Sequence, residues 1–179
     1  MTARVLTPRR TLAAAAGALL ALAAPAAGAS AQPQVLEATC VGTQEVGYSP
    51  GIVLLTERQT TVTGSTTYDC LSADVESGTS GFSVSDSRSC TSVTPSGAAE
   101  TIRWDDGSES VLTMSSAVVS VGGTTVVTKN GTVTDGRFEG ALALATITGP
   151  TVSGLLDCLT PGGMTHTSEA VVLEITSIP

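Results

Sequence analysis

The sequence predicts an all-β chain: a single-domain antiparallel β-barrel of about eight strands, with a β-sandwich as the alternative, preceded by a signal peptide. Three observations predict it. Beyond the first thirty or so residues the chain is dense in Thr, Ser, Val and Gly and short of Leu, Lys, Glu and Gln, which favours strand over helix. Apolar residues recur at alternate positions, the period of a half-buried strand. Asp-Gly and Gly-Gly pairs punctuate those alternating runs at hairpin spacing.

The leader comes first. Arg4, Arg9 and Arg10 make a basic start, and Leu12 to Ala24 is almost wholly Ala and Leu. That run has the length of a signal-peptide core and falls short of the roughly 20 apolar residues a membrane-spanning helix needs. A short membrane anchor is the alternative reading. Pro25 and Gly28 break the run, and Ala29-Ser30-Ala31 offers small residues for cleavage after Ala31. Arg9-Arg10 leaves a twin-arginine route open, although Pro8 and Thr11 fit it poorly. Residues 1–31 are therefore expected to leave as a leader, and residues 32–179 to form one disulfide-stabilised domain, secreted and extracellular. The first cysteine is Cys40, too far along for lipid attachment at the cleavage site.

Three of the eight basic residues leave with the leader while all sixteen acidic ones stay. Five cations against sixteen anions make a poor partner for nucleic acid or an anionic membrane, since both are held by Lys and Arg. The charge also keeps an exported chain dispersed, and a monomer is expected. Four cysteines, an even count in an exported chain, read as two disulfides. Of the three pairings possible, the reading favours Cys70–Cys90, closing a local loop, and Cys40–Cys158, tying the first strand to the C-terminal region. No C-x-x-C pair is present and His166 is the only imidazole, so no metal centre or cofactor is expected.

Each strand has its own signal. Val35 to Val46 alternates, with Leu36, Ala38 and Cys40 on one side, and Tyr48-Ser49-Pro50-Gly51 reads as the turn that ends it. A Thr-rich strand follows from Leu55 to Leu71, where Gly64 marks a bulge or a close backbone approach. Ser77-Gly78-Thr79-Ser80-Gly81 reads as a loop, Phe82 to Val93 as the next strand and Thr94-Pro95-Ser96-Gly97 as its exit. Thr101-Ile102-Arg103-Trp104 then meets Asp105-Asp106-Gly107-Ser108, an Asp-Gly hairpin. Its partner, Ser110–Val121, turns at Gly122-Gly123 into Thr124–Thr134, which turns at Asp135-Gly136 into Arg137–Thr148. Asn130-Gly131 inside this meander reads as a bulge. Gly149-Pro150 closes it, Val152–Leu159 offers a helical turn, and Pro161-Gly162-Gly163 leads into a last strand, Met164–Ile175. There Val171, Leu173 and Ile175 alternate against Val172 and Glu174. Long sequential hairpins favour closure, which removes exposed edges.

Chemistry is sparse. His166 would have to serve any Ser-His-Asp arrangement, yet no G-x-S-x-G elbow accompanies it, and a solvated side chain is the plainer reading. Asp105, Asp106 and Glu109 could hold Ca²⁺ but lack the alternating spacing of a calcium loop, and Asp-Gly is already explained by the turn. No pair among the acids is singled out for glycoside hydrolysis. Asn130-Gly131-Thr132 matches a glycosylation acceptor, a match without meaning in the GC-rich bacterial source the Ala-rich leader suggests. Trp104 either faces a ligand at a barrel mouth or anchors the core. Trp104, Tyr48 and His166 are the possible ligand contacts, and no catalytic, cofactor or metal residue is assigned.

Cys40-Val41-Gly42, Tyr48-Ser49-Pro50-Gly51, Trp104-Asp105-Asp106-Gly107 and the hairpin Gly136-Arg137-Phe138-Glu139-Gly140 together resemble a group of small secreted actinobacterial β-proteins to which no activity is attached. The Gly136-Arg137-Phe138-Glu139-Gly140 segment is similar to glycine-rich hairpins of the allene oxide cyclase-like barrels. The resemblance implies a small secreted barrel and carries no catalytic residue with it. The expected function is a secreted, non-catalytic domain binding a small ligand or a protein partner. The alternatives are a pocket enzyme of the cyclase or isomerase type, and a protease inhibitor presenting the Ser85–Pro95 loop around Cys90.

Overall fold

Eight strands follow one another along the chain and pair in that same order, each antiparallel to the next. They are β1 (Val35–Ile52), β2 (Arg58–Ser72), β3 (Ser77–Arg88), β4 (Ala99–Trp104), β5 (Glu109–Val121), β6 (Thr124–Gly136), β7 (Leu142–Pro150) and β8 (Met164–Ser177). β1 also pairs with β8, from Val35↔Ser177 to Ile52↔Met164, so the sheet closes. The fold is the barrel, not the sandwich. The structure is a computed structural model describing residues 34–92, 99–121, 124–150 and 156–177. The expected leader lies outside those residues, as do the expected turns at Thr94–Gly97 and Gly122-Gly123.

Alternation decides which side of each strand faces in. On β8, Val171, Leu173 and Ile175 are buried while Val172 and Glu174 are exposed. On β1, Ala38 and Cys40 point inward, and on β7 the inward positions include Ala143 and Ala145, continuing from Ala141 just before the strand. Those small residues face bulky ones from the other strands: Tyr68, Ile102, Trp104 and Leu112. Small set against large fills a narrow barrel end with side chains. Each of Ile102, Leu112, Leu173 and Ile175 is fully buried, worth about 1.5–3 kcal/mol apiece relative to exposure.

Two glycines make room for rings rather than for bulges. A Cβ on Gly64 would stand 2.1 Å from the Phe82 ring, and Gly64 sits opposite Phe82 in unbroken β2–β3 register. Gly78 lies opposite Trp104, whose ring would be 2.7 Å from an added Cβ. The expected loop Ser77–Gly81 is consequently strand, because the indole needs a flat backbone to lie on. The expected bulge at Asn130-Gly131 is also corrected: Gly131 is in register with Met114, and the irregularity falls between Val111 and Leu112. A Cβ at Gly131 would meet the Thr113 carbonyl at 2.0 Å, so the glycine answers a close approach of backbones.

The Tyr48–Gly51 turn is corrected as well. β1 runs through it to Ile52, with a cis peptide at Ser49-Pro50. Proline's missing N–H does no harm there, because the β1–β8 ladder shifts register between Gly47 and Ile52. Conversely, Arg137–Gly140 is turn rather than strand. Gly136, Phe138 and Gly140 all take positive φ, the Phe138 ring packing edge-on against Trp104 at 5.8 Å. The helical turn is there as Leu156–Cys158.

Both disulfides form, with other partners than expected: Cys40–Cys70 and Cys90–Cys158. Cys40 and Cys70 stand opposite each other in the β1–β2 register. Cys70–Cys90 fails on reach, for the twelve residues of β3 carry Cys90 roughly 40 Å along the barrel from Cys70, against about 7 Å that a bridge spans. Cys90–Cys158 instead joins the segment after β3 to the one before β8. Ile52, Leu54, Tyr48 and Met164 pack around it.

Candidate functional site

The barrel is filled at one end and hollow at the other. β4 has six residues, so β3 is paired with it only over Gly78, Thr79 and Ser80, while β3 itself runs on to Arg88. Beside that stretch lies a cavity of about 430 Å³, within the size range of small-molecule sites. Its apolar wall comes from Val46, Val62, Phe82, Val84, Met114, Val127 and Ile147. Gln44, Glu100, Lys129, Arg88, Tyr48 and Glu169 supply the polar groups.

Glu100 on β4 anchors the inner side. Its Oε1 accepts from Ser80 Oγ at 2.7 Å and from Tyr68 Oη at 3.2 Å, and Lys129 Nζ on β6 donates to its Oε2 at 3.2 Å. Burial, seconded by the Glu100 charge, holds the Tyr68 phenol well above its usual range, so Tyr68 stays a donor. The Lys129–Glu100 pair is mostly shielded, at 21% and 14% side-chain exposure. Further out, Arg88 is 3.4 Å from Asp86 on the same face of β3, and the Arg88 Nε is buried without a partner.

The opposite wall belongs to β1 and β8. Gln44 and Glu169 face each other across their register. Gln44 is 6% exposed, and among the described residues its amide has no hydrogen-bond partner. Glu169 lies against Gly149 of β7, where an added Cβ would crowd its Cγ to 2.9 Å. Burial raises the Glu169 carboxyl above its ordinary value, with the Lys129 charge pulling the other way. Burial likewise raises the Tyr48 phenol.

Of the three residues singled out from sequence, the structure brings one to the cavity. Tyr48 lines it. Trp104 is 4% exposed at the filled end, its Nε1 donating to Ser110 Oγ at 2.8 Å. His166 is on the outer face, its Nε2 2.7 Å from Glu45 Oε2. The hairpin acids are turned to separate partners. Asp105 accepts the Glu76 and Ser77 N–H groups, Asp106 takes Ser108 and Arg137, and Glu109 takes Arg103. Those hydrogen bonds, from Ser77 and from Ser108 foremost, hold Asp105 and Asp106 below the ordinary carboxylate range. The Ser85–Pro95 segment begins as strand, Ser85–Arg88 belonging to β3, and its residues 93–95 lie outside the described ones.

Sequence reasoning missed Gln44, Glu100, Lys129 and Glu169. The signal was available in their phase: Gln44 keeps step with Ala38 and Cys40, Glu100 with Ile102 and Trp104, Glu169 with Val171 and Leu173. A polar residue in the apolar phase of a strand needs a buried partner or a cavity.

Comparison with protein-family models, curated proteins and solved structures returned no match. The site therefore has to be read from its own chemistry. No helix among the described residues is long and apolar enough to cross a membrane.

Proposed function

We propose that the chain is a secreted, non-catalytic barrel that holds a small, largely apolar ligand in its hollow end. What supports this reading is the cavity of about 430 Å³, walled by aliphatic and aromatic side chains with a few convergent polar groups. Export is supported by the leader pattern and by two disulfides, which persist in oxidising compartments. Cleavage within about three residues of Ala31 is the corresponding expectation, checked by N-terminal sequencing of the released protein.

The binding test uses N-phenylnaphthylamine, an uncharged dye that fluoresces on entering apolar surroundings. Saturable enhancement is expected with the natural chain. Val84→Trp, which fills the cavity from a half-buried wall position, is expected to weaken it at least about tenfold while the far-ultraviolet dichroism stays unchanged. Absence of saturable binding by the natural chain would remove this reading.

A second reading, a pocket enzyme of the cyclase or isomerase type, is favoured by one observation. Glu169 puts a carboxyl raised above its ordinary value by burial inside an apolar cavity, a setting that suits a group giving or taking a proton. Such an enzyme would act mainly by positioning its substrate.

A further inference from the structure

A polar side chain on an apolar cavity wall offers its donor and acceptor to whatever occupies the cavity, and the Gln44 amide makes no hydrogen bond of its own among the described residues. Further out Arg88 keeps a buried Nε without a partner, while on the inner wall Gln44 is 6% exposed and makes no hydrogen bond among the described residues. Its neighbour across the β1–β8 register is Glu169, also on the cavity wall. Of the remaining charges, Lys129 pairs with Glu100 and Arg88 with Asp86, the Arg88 Nε staying unpartnered. Both signs of charge surround the space, so an ionic head would sit near a like charge whichever sign it carried. A neutral head meets no such penalty.

We infer that the cavity takes an uncharged ligand, an apolar body bearing one carboxamide head, held between Gln44 and Glu169. This rests on the binding reading given above. The head's carbonyl accepts from the Gln44 NH₂, and its own NH₂ donates to the Glu169 carboxyl. The aliphatic body lies against Val62, Phe82 and Met114. Gly149 belongs to the same device, since a side chain there would push Glu169 off its place on the wall.

The test is displacement of N-phenylnaphthylamine from the purified protein at neutral pH by decanamide, decylamine and decanoate. These share a body and differ in the charge of the head. Decanamide is expected to displace the dye at a concentration at least about tenfold below either ion, equivalent to about 1.4 kcal/mol. Gln44→Leu is expected to erase that advantage, with an unchanged far-ultraviolet dichroism reporting that the variant folds. The comparison on the natural chain needs no variant. Preference for decylamine would overturn the inference by making Glu169 a counter-ion. Preference for decanoate would overturn it in favour of Arg88 or Lys129. Equal displacement by all three overturns the inference alone and leaves the binding reading standing, whereas failure of the dye to bind removes both.

Discussion

A carboxylate withdrawn from water must be answered by donors, and Glu100 is answered three times, by Ser80, Tyr68 and Lys129. Removing the cation alone leaves a charge that is 14% exposed without its counter-ion. Lys129→Met is therefore expected to destabilise the fold by roughly 2–4 kcal/mol, and Lys129→Met with Glu100→Leu to recover most of that loss. Urea melts of the two variants decide it; equal losses would mean that the pair itself stabilises. Glu169 makes a prediction of opposite sense. Its folded carboxyl holds a proton above the ordinary 4.5, so the folded state binds protons that the unfolded chain has released. That contribution is complete below 4.5 and is lost as pH rises through the raised folded value. Glu169→Gln cannot titrate, so its stability relative to the natural chain is expected to climb from acid toward neutral pH. Denaturant midpoints across a pH series measure this, and a constant difference would reject it.

Among the elements, the two bridges act at different places. Cys40–Cys70 rivets adjacent strands at a register position and spans 30 residues. Cys90–Cys158 spans 68 residues and gathers the connections at the hollow end. Digestion without reduction, followed by mass spectrometry, is expected to return these pairs; a Cys70–Cys90 peptide would contradict the register. The double variant Cys90→Ser, Cys158→Ser is expected to lose about 2–4 kcal/mol. It should also bind N-phenylnaphthylamine less well, since Tyr48 both lines the cavity and packs on that bridge. The same element-scale geometry explains where sequence reading of turns fell short. Gly78 and Pro50 have the look of punctuation in the sequence, yet Gly78, like Gly64, serves a ring lying across it, and Pro50 sits where one ladder shifts register. Only a partner strand distinguishes those uses, and its identity is a long-range fact.

For the molecule as a whole, alternation and hairpin spacing made the strand number, their antiparallel order and the inward face of β8 legible in advance. Closure was inferable too, because sequential hairpins leave two edges and pairing them removes both. The hollow end was not legible. It arises where β4 is six residues long beside a β3 of twelve, a mismatch that matters only once the two are neighbours. The disulfide pairing was lost for a related reason: sequence distance says little about which end of a barrel a cysteine reaches. Trp104 shows the limit at a single side chain. Its position before a hairpin turn suits a mouth or a base equally, and what holds it at the filled end is Ser110 from β5 and Phe138 from the turn after β6.

The seam between β1 and β8 has a consequence in time. Val35 pairs with Ser177 and Val46 with Thr167, so the strand made first has one of its two neighbours made last. Until the ribosome has delivered β8, β1 keeps one unpaired edge, and the inward faces of both strands lack their cover. Folding cannot be completed piecemeal behind synthesis. It must wait for the eighth strand and then search for the contact between the first strand and the last. Refolding by stopped-flow fluorescence of Trp104 is accordingly expected in the slow, millisecond-to-second range of β proteins dominated by distant pairings.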